Sequence, residues 1–154
     1  MQELVYALQF LGQAQQVGPD GNVFRTMTSA AGCTSRANVT AAGLRSHWSV
    51  GRGDRATLES EVVLTGASTF QESGTIAFGV GEHRLRFSTI GSGHISGFKD
   101  GAWVRGASIW RIDSGDGQFA GAGGLIASNF VITVAGEVTQ HQLGMILVRQ
   151  TAER

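Results

Sequence analysis

Apolar and polar side chains alternate along most of the chain, with the two-residue period of a half-buried β-strand. The first apolar face consists of Leu4, Tyr6, Leu8 and Phe10. Three later faces follow the same rule: Ala56, Leu58, Ser60, Val62 and Leu64; Phe70, Glu72, Gly74, Ile76 and Phe78; and His83, Leu85, Phe87 and Thr89. No segment has the 3.6-residue apolar stripe of a helix, so the pattern predicts an all-β protein with little helix.

Turn signals separate these strands at intervals of roughly 8–15 residues. They lie at Gly18–Gly21, Gly51–Asp54, Gly79–Gly81 and Gly115–Gly117. Residues 23–42 are small and polar, and they predict a short strand followed by a long loop. Further strands are predicted over 44–50 and 103–112, and a terminal hairpin is predicted over 125–134 and 138–148.

Glycine makes up 23 of the 154 residues, about twice its usual share of roughly 7%. Several glycines fall inside predicted strands, namely Gly74, Gly97, Gly106, Gly121 and Gly144. Interior glycines permit the bulges and coiling that a closed barrel needs. Closure also removes exposed sheet edges, which suits a chain with one lysine and one proline to protect them. We therefore predict a single domain, 1–154, forming a small antiparallel barrel of eight strands.

Charge and composition restrict the classes of partner and the cellular location that the sequence predicts. Twelve basic and twelve acidic residues cancel, without a basic segment that would bind nucleic acid. No apolar run approaches the roughly 20 residues of a membrane helix, and the chain start lacks the basic region of a signal peptide. Cys33 is the one cysteine, so no internal disulfide can form. These features predict a cytoplasmic protein, and the near-zero net charge favours self-association into a homo-oligomer.

Glu72 is the most informative polar residue, because it shares a face with Phe70, Ile76 and Phe78. A carboxyl group in an apolar cavity has a raised pKa, which suits a general acid or base. The alternative is a carboxylate at the barrel mouth or in solvent. His83 heads the next strand and could also move a proton, although a histidine at a rim is more often simply solvated.

Two further polar residues fall on apolar faces. Asn129, with Leu125 and Val131, could polarise a carbonyl or could be a structural amide. Tyr6 is the only tyrosine, and its hydroxyl could orient a ligand. The aromatic candidates for the cavity wall are Trp48, Phe78, Phe87 and Trp110. Arg105 could stack or bind an anion, and the alternative is a salt bridge on the outer wall. No His, Cys or carboxylate set has metal-ligand spacing, and no motif indicates a cofactor.

The segment Gly101–Gly124 reads GAWVRGASIWRIDSGDGQFAGAGG, in which a strand ends in a glycine-rich turn containing Phe119. This segment, and more broadly residues 82–148, resembles the C-terminal half of allene oxide cyclase and dirigent-type barrels. The resemblance implies an eight-stranded calycin-like barrel, commonly a homodimer or homotrimer, that handles small hydrophobic molecules as a cyclase or as a guide of radical coupling. The cyclases carry an acidic residue in their first strand, where this chain has Gln9.

Three hypotheses remain open from the sequence. The first is an isomerase, cyclase or lyase without a cofactor, which acts on a small hydrophobic molecule in the barrel lumen. In this hypothesis Glu72 or His83 transfers the proton, and Asn129 and Tyr6 polarise oxygen atoms of the substrate. The second is a lipocalin-like binding protein. The third is an oligomeric barrel filled by its own side chains. A Glu72 carboxyl without a protein hydrogen-bond partner would favour catalysis over carriage.

Overall fold

The computed structural model describes residues 1–97, 101 and 103–149, apart from the side chains of Cys33 and Thr34. Nine strands and one short 3₁₀ turn, Gly117–Phe119, run through these residues. The strands are β1 (Gln2–Gln16), β2 (Val23–Thr40), β3 (Gly43–Leu64), β4 (Thr69–Phe78), β5 (His83–Thr89), β6 (Gly93–Gly97), β7 (Trp103–Asp116), β8 (Gly123–Thr133) and β9 (Glu137–Val148).

The strands close into a barrel. The hydrogen-bonded order is β1-β2-β3-β4-β5-β7-β8-β9, and β9 pairs back onto β1, with antiparallel neighbours throughout. β6 pairs with β4 and β7 beyond the end of β5, so β5 and β6 occupy one position that bends at 90–92. The predicted all-β, eight-stranded antiparallel barrel is confirmed.

The hairpin of β2 and β3 differs from the sequence prediction. Instead of a long loop over 23–42, β2 continues to Thr40, and Cys33–Thr40 pairs with Gly43–Val50. The predicted turn at Gly51–Asp54 is also wrong, since β3 runs through it and the register shifts between Ala31 and Cys33. Residues 33–40 and 43–50 of this arm pair with each other, and their described side chains are largely exposed. The sequence predicts the strand over 44–50, whereas 33–40 shows no apolar face and only its backbone pairing reveals it.

The core fills the middle of the barrel. Its fully buried side chains come from all around the circuit and include Phe10, Leu58, Ile76, Leu85, Trp110, Ile126 and Ile146. The Phe87 and Trp110 rings stack at 3.9 Å between centroids. The apolar faces that alternation indicates in β1, β3, β4 and β5 all contribute to this core, which follows from the two-residue period of a strand.

Three interior glycines lie directly opposite inward-facing aromatic residues. Gly144 pairs with Tyr6, Gly93 with Phe70, and Gly106 with Phe130. A Cβ at any of the three glycines would collide with the opposing ring. Each ring therefore lies flat across a neighbouring strand, a known way to cover glycine in a coiled sheet.

Within the described part of the chain, no helix is long and apolar enough to cross a membrane.

Candidate functional site

A cavity of about 450 Å³ opens from one end of the barrel lumen. This volume falls within the roughly 300–1,000 Å³ of small-molecule sites. Most of its wall is apolar, and the polar side chains Thr26, Glu72 and Gln140 reach it from β2, β4 and β9. The apolar wall residues include Phe24, Val62, Leu64, Phe70, Val104, Phe130, Ile132 and Val138.

Glu72 holds its position because β4 alternates inward and outward around it. Phe70 and Ile76 point inward on the same strand, whereas Gln71 and Ser73 are exposed. Gly74 lies opposite Ser60 of β3, and a Cβ there would come within 2.8 Å of Ser60 Cα and Cβ. Because Gly74 has no side chain, β3 and β4 approach closely beside the Glu72 carboxyl group.

The Glu72 carboxyl group is 5% exposed, and Ser60 Oγ donates a hydrogen bond of 2.6 Å to its Oε1. Burial raises the pKa of Glu72 from 4.5 to about 7, because desolvation disfavours the anion more than the Ser60 hydroxyl and the Trp110 indole stabilise it. The indole N–H lies close enough to lower this pKa but falls short of hydrogen-bond geometry, so buried Trp110 Nε1 has no partner in the protein.

A chain of hydrogen bonds crosses the lumen and ends at the cavity wall. The Tyr6 hydroxyl donates to Gln142 Oε1 (3.0 Å), Gln142 Nε2 donates to Gln140 Oε1 (3.3 Å), and Gln140 Nε2 donates to Ser128 Oγ (2.7 Å). Because an amide has distinct donor and acceptor ends, the two glutamines share one orientation along the chain, whose ends are closed by the Tyr6 and Ser128 hydroxyls. The chain therefore fixes the Gln140 amide at the cavity.

Tyr6 and His83 lie far from Glu72. The strand from Glu72 to Phe78 spans six residues, about 20 Å, and His83 pairs with Phe78 at its far end. His83 Nδ1 accepts a hydrogen bond of 3.1 Å from the backbone N–H of Gln118. The Tyr6 ring packs against Phe78 with centroids 6.0 Å apart, and burial raises the pKa of its hydroxyl. The structure does not bring these two residues into the site of Glu72.

Three aromatic residues predicted to line the cavity, Phe78, Phe87 and Trp110, lie elsewhere in the barrel. Phe87 and Trp110 form the stacked pair in the core, and the indole of Trp110 approaches Glu72. Phe78 packs against Phe119 at the opposite end of the barrel, with centroids 5.2 Å apart. None of these three lines the cavity. They stabilise the barrel around the site instead of forming its surface.

Trp48, Arg105 and Asn129 lie outside the lumen, which corrects the prediction that they face it. Trp48 is on the β2–β3 arm, and its ring lies 5.1 Å from that of His141 on the outer wall. Arg105 is exposed and donates from Nε to Ser96 Oγ at 3.3 Å. Asn129 is exposed because β8 buries its even-numbered neighbours, Ile126 and Ser128, on the opposite face.

Arg105 and Asn129 help to line a second concavity of about 470 Å³ on this outer wall, together with His94 and His141. It is open to solvent, and its titratable side chains are not fully buried. Gln9, where the resembling cyclases carry an acid, also faces this wall, and its Nε2 lies 3.2 Å from His141 Nε2. The lumen cavity is the better candidate because it alone combines enclosure with a buried ionisable group.

Sequence reasoning missed Ser60, Thr26, Gln140 and the aromatic wall residues Phe24 and Phe130. Gln140 had a usable signal, since it alternates with Val138, a core residue of the same strand. Ser60 had the same signal, since it falls on the inward face of β3 between Leu58 and Val62. Their roles depend on neighbours more than ten residues away, and no local pattern indicates those.

Among the described residues, no three His, Cys, Asp or Glu side chains come together as a metal site. Comparisons of the chain with protein-family models, with curated proteins and with solved structures find no match.

Proposed function

We propose that this protein binds a small, largely apolar organic molecule in the lumen cavity and that Glu72 transfers a proton on it. The observation that carries the proposal is a buried carboxyl group in the wall of an apolar cavity, with a pKa of about 7. A group with that pKa is present as both acid and base near neutral pH, which is the condition under which general acid–base catalysis is most effective.

The reactions that this site supports are isomerisation, cyclisation or elimination. In an isomerisation or cyclisation, the Glu72 carboxylate removes a proton from a carbon beside a carbonyl, and the resulting acid returns a proton to another atom of the molecule. In an elimination, it removes a proton from the carbon next to the one that bears the leaving group, a double bond forms between these carbons, and the departing group leaves with its bonding electrons and takes up the proton. The apolar surroundings assist because they keep the carboxylate poorly solvated and therefore basic. The resemblance of residues 82–148 to cyclase and dirigent-type barrels agrees with this reaction class and stays a prediction, as does the cytoplasmic location.

Gln140 is the residue that we assign to the oxygen of the bound molecule. One of its two amide hydrogens goes to Ser128, and its carbonyl accepts from Gln142. The second amide hydrogen is available chemically for an oxygen in the cavity, where it would stabilise the negative charge of an enolate. The favoured ligand therefore has an apolar body and one carbonyl or hydroxyl group.

The test uses 2-acetonaphthone, an apolar ketone whose methyl hydrogens exchange with deuterium in D₂O when a base enolises it. We expect the wild-type protein to bind it and to accelerate exchange, as measured by ¹H NMR. Glu72→Gln keeps the shape of the side chain but removes its proton transfer, so binding should change by less than threefold while exchange falls about 100-fold. Glu59→Gln, on the exposed outer side of β3, is the matched control.

Lipocalin-like carriage is the second candidate, and the hydrogen bond from Ser60 to Glu72 favours it. A carboxyl group with a protein partner can serve as a fixed polar contact for a ligand. Binding of 2-acetonaphthone without Glu72-dependent exchange would select carriage. A barrel that neither binds the ketone nor accelerates its exchange would contradict both functions.

A further inference from the structure

The outer wall of the barrel is divided into a charged half and an uncharged half. The outward residues of β2 to β5 include Arg25, Glu59, Glu61, Arg84 and Arg86, and Arg86 forms an ion pair with Asp116 at 2.6 Å. By contrast, no Asp, Glu, Lys or Arg occurs in 5–15 of β1, 123–133 of β8 or 139–147 of β9. These three strands are neighbours, so together they form an uncharged surface, which the Trp48 ring of the β2–β3 arm contacts at His141.

We call this surface the apolar face and define it by six large side chains that are each about half exposed. They are Val5, Leu11, Ile109, Leu125, Leu143 and Met145, with 49–59% of their surface accessible. Strand register places five of them in two adjacent rows, and Leu11 lies two rows further along β1. Val5, Met145 and Leu125 lie directly opposite one another, and the next row contains Leu143 and Ile109 with small alanines between and beside them.

The size of the apolar face indicates an interface. The six side chains together expose on the order of 500 Å², toward the upper end of the largest apolar patches on monomers, which are often interaction sites. The alanines and uncharged polar residues between them extend the same surface toward the roughly 800 Å² per partner of a standard interface.

We propose that a second copy of this chain covers the apolar face, giving a two-fold symmetric dimer. In such a dimer the same surface meets itself, so any charge near the axis would face its own copy. A centre without charged residues on three strands meets this requirement. A head-to-tail arrangement would instead press the apolar face against a different part of the wall, and β2 to β5 present charges there. The zero net charge of the chain adds no long-range repulsion between copies.

A lipid surface fits the apolar face less well than a second copy, because membrane-binding faces combine apolar residues with a set of flanking, unpaired cations. The basic residues nearest the row of Val5 and Met145 are Arg111, which forms an ion pair with Asp113, and Arg149 at the end of the described chain. A second copy presents the same apolar, uncharged surface, so it matches the apolar face in chemistry.

The test is the mass of the protein in solution, measured by sedimentation equilibrium from 1 to 100 μM. We expect twice the chain mass of 16.2 kDa for the wild type and the single-chain mass for Leu143→Arg and for Leu125→Arg. Ser73→Arg, on the exposed outer side of β4, is the matched control and should remain dimeric. Circular dichroism verifies that each variant keeps its β-structure.

A wild-type monomer at 100 μM would overturn the proposal, and so would a trimer, which needs two different surfaces. A dimer that survives both arginine substitutions would place the interface elsewhere. If one variant fails to fold, the other still tests the apolar face, because Leu125 and Leu143 lie on different strands and in different rows.

Discussion

Burial and hydrogen bonding act on Glu72 in opposite directions, and burial prevails. The Ser60 hydroxyl and the Trp110 indole both favour the anion, yet the pKa rises to about 7 because water is largely excluded from the carboxyl group. A residue with this balance can hold or release a proton near neutral pH. The same balance also makes the stability of the protein depend on pH.

We expect the wild-type protein to lose stability as the pH rises from about 4.5 to 7. In this window the unfolded chain has released the Glu72 proton while the folded barrel still retains it, so raising the pH favours unfolding. The raised pKa corresponds to about 3 kcal/mol of unfolding free energy. Glu72→Gln should remove this contribution and be more stable than the wild type at pH 8.

The measurement is urea denaturation at pH 5 and pH 8, monitored by circular dichroism. Glu59→Gln should retain the wild-type difference between the two pH values, since Glu59 is exposed on the outer wall. An unchanged pH difference in Glu72→Gln would show that the carboxyl group is solvated in the folded protein.

At the scale of strands, pairs of glycine and aromatic residues set how closely neighbours approach. Gly144 leaves room for the Tyr6 ring across β9, Gly106 for Phe130 across β7, and Gly93 for Phe70 across β6. Phe70 and Phe130 also line the cavity. The high glycine content of the sequence therefore helps to shape the lumen as well as the turns between strands.

We expect Gly144→Ala to destabilise the protein by about 1–3 kcal/mol, because the new methyl group would displace the Tyr6 ring. Gly123→Ala is the control, since a Cβ there meets nothing within 4 Å. It should change the unfolding free energy by less than about 0.5 kcal/mol. Equal effects of the two substitutions in urea denaturation would mean that loss of glycine flexibility matters more than the ring contact.

At the scale of the whole molecule, the core divides the lumen unequally. Large side chains fill the middle, the Tyr6 and Phe78 rings fill one end, and the cavity with Glu72 occupies the other. The eight-stranded circuit supports both a filled interior and a small ligand site, because a barrel of this size is just wide enough for either.

Filling the open end should abolish binding without unfolding the barrel. Ala14 lines the cavity from β1, and Ala14→Phe should weaken binding of 2-acetonaphthone at least tenfold while the melting temperature stays within a few degrees of the wild type. Ala77→Phe, on the outer side of β4, is the control and should bind normally. Unaltered affinity in Ala14→Phe would locate ligand binding outside this cavity.

The sequence by itself determined the all-β class, most strand faces and the apolar strand face that Glu72 shares, because a strand's two-residue period is local. It predicted the strand over 44–50 but not its partner over 33–40, which carries no apolar face and depends on pairing with 43–50. Tertiary structure decided which inward residues meet. It separated Glu72 from His83 and Tyr6 by the length of a strand, turned Asn129 outward, and brought Ser60, Gln140 and Glu72 to one cavity. Barrel closure and strand register join residues remote in the chain, and the chemistry of the site depends on those contacts.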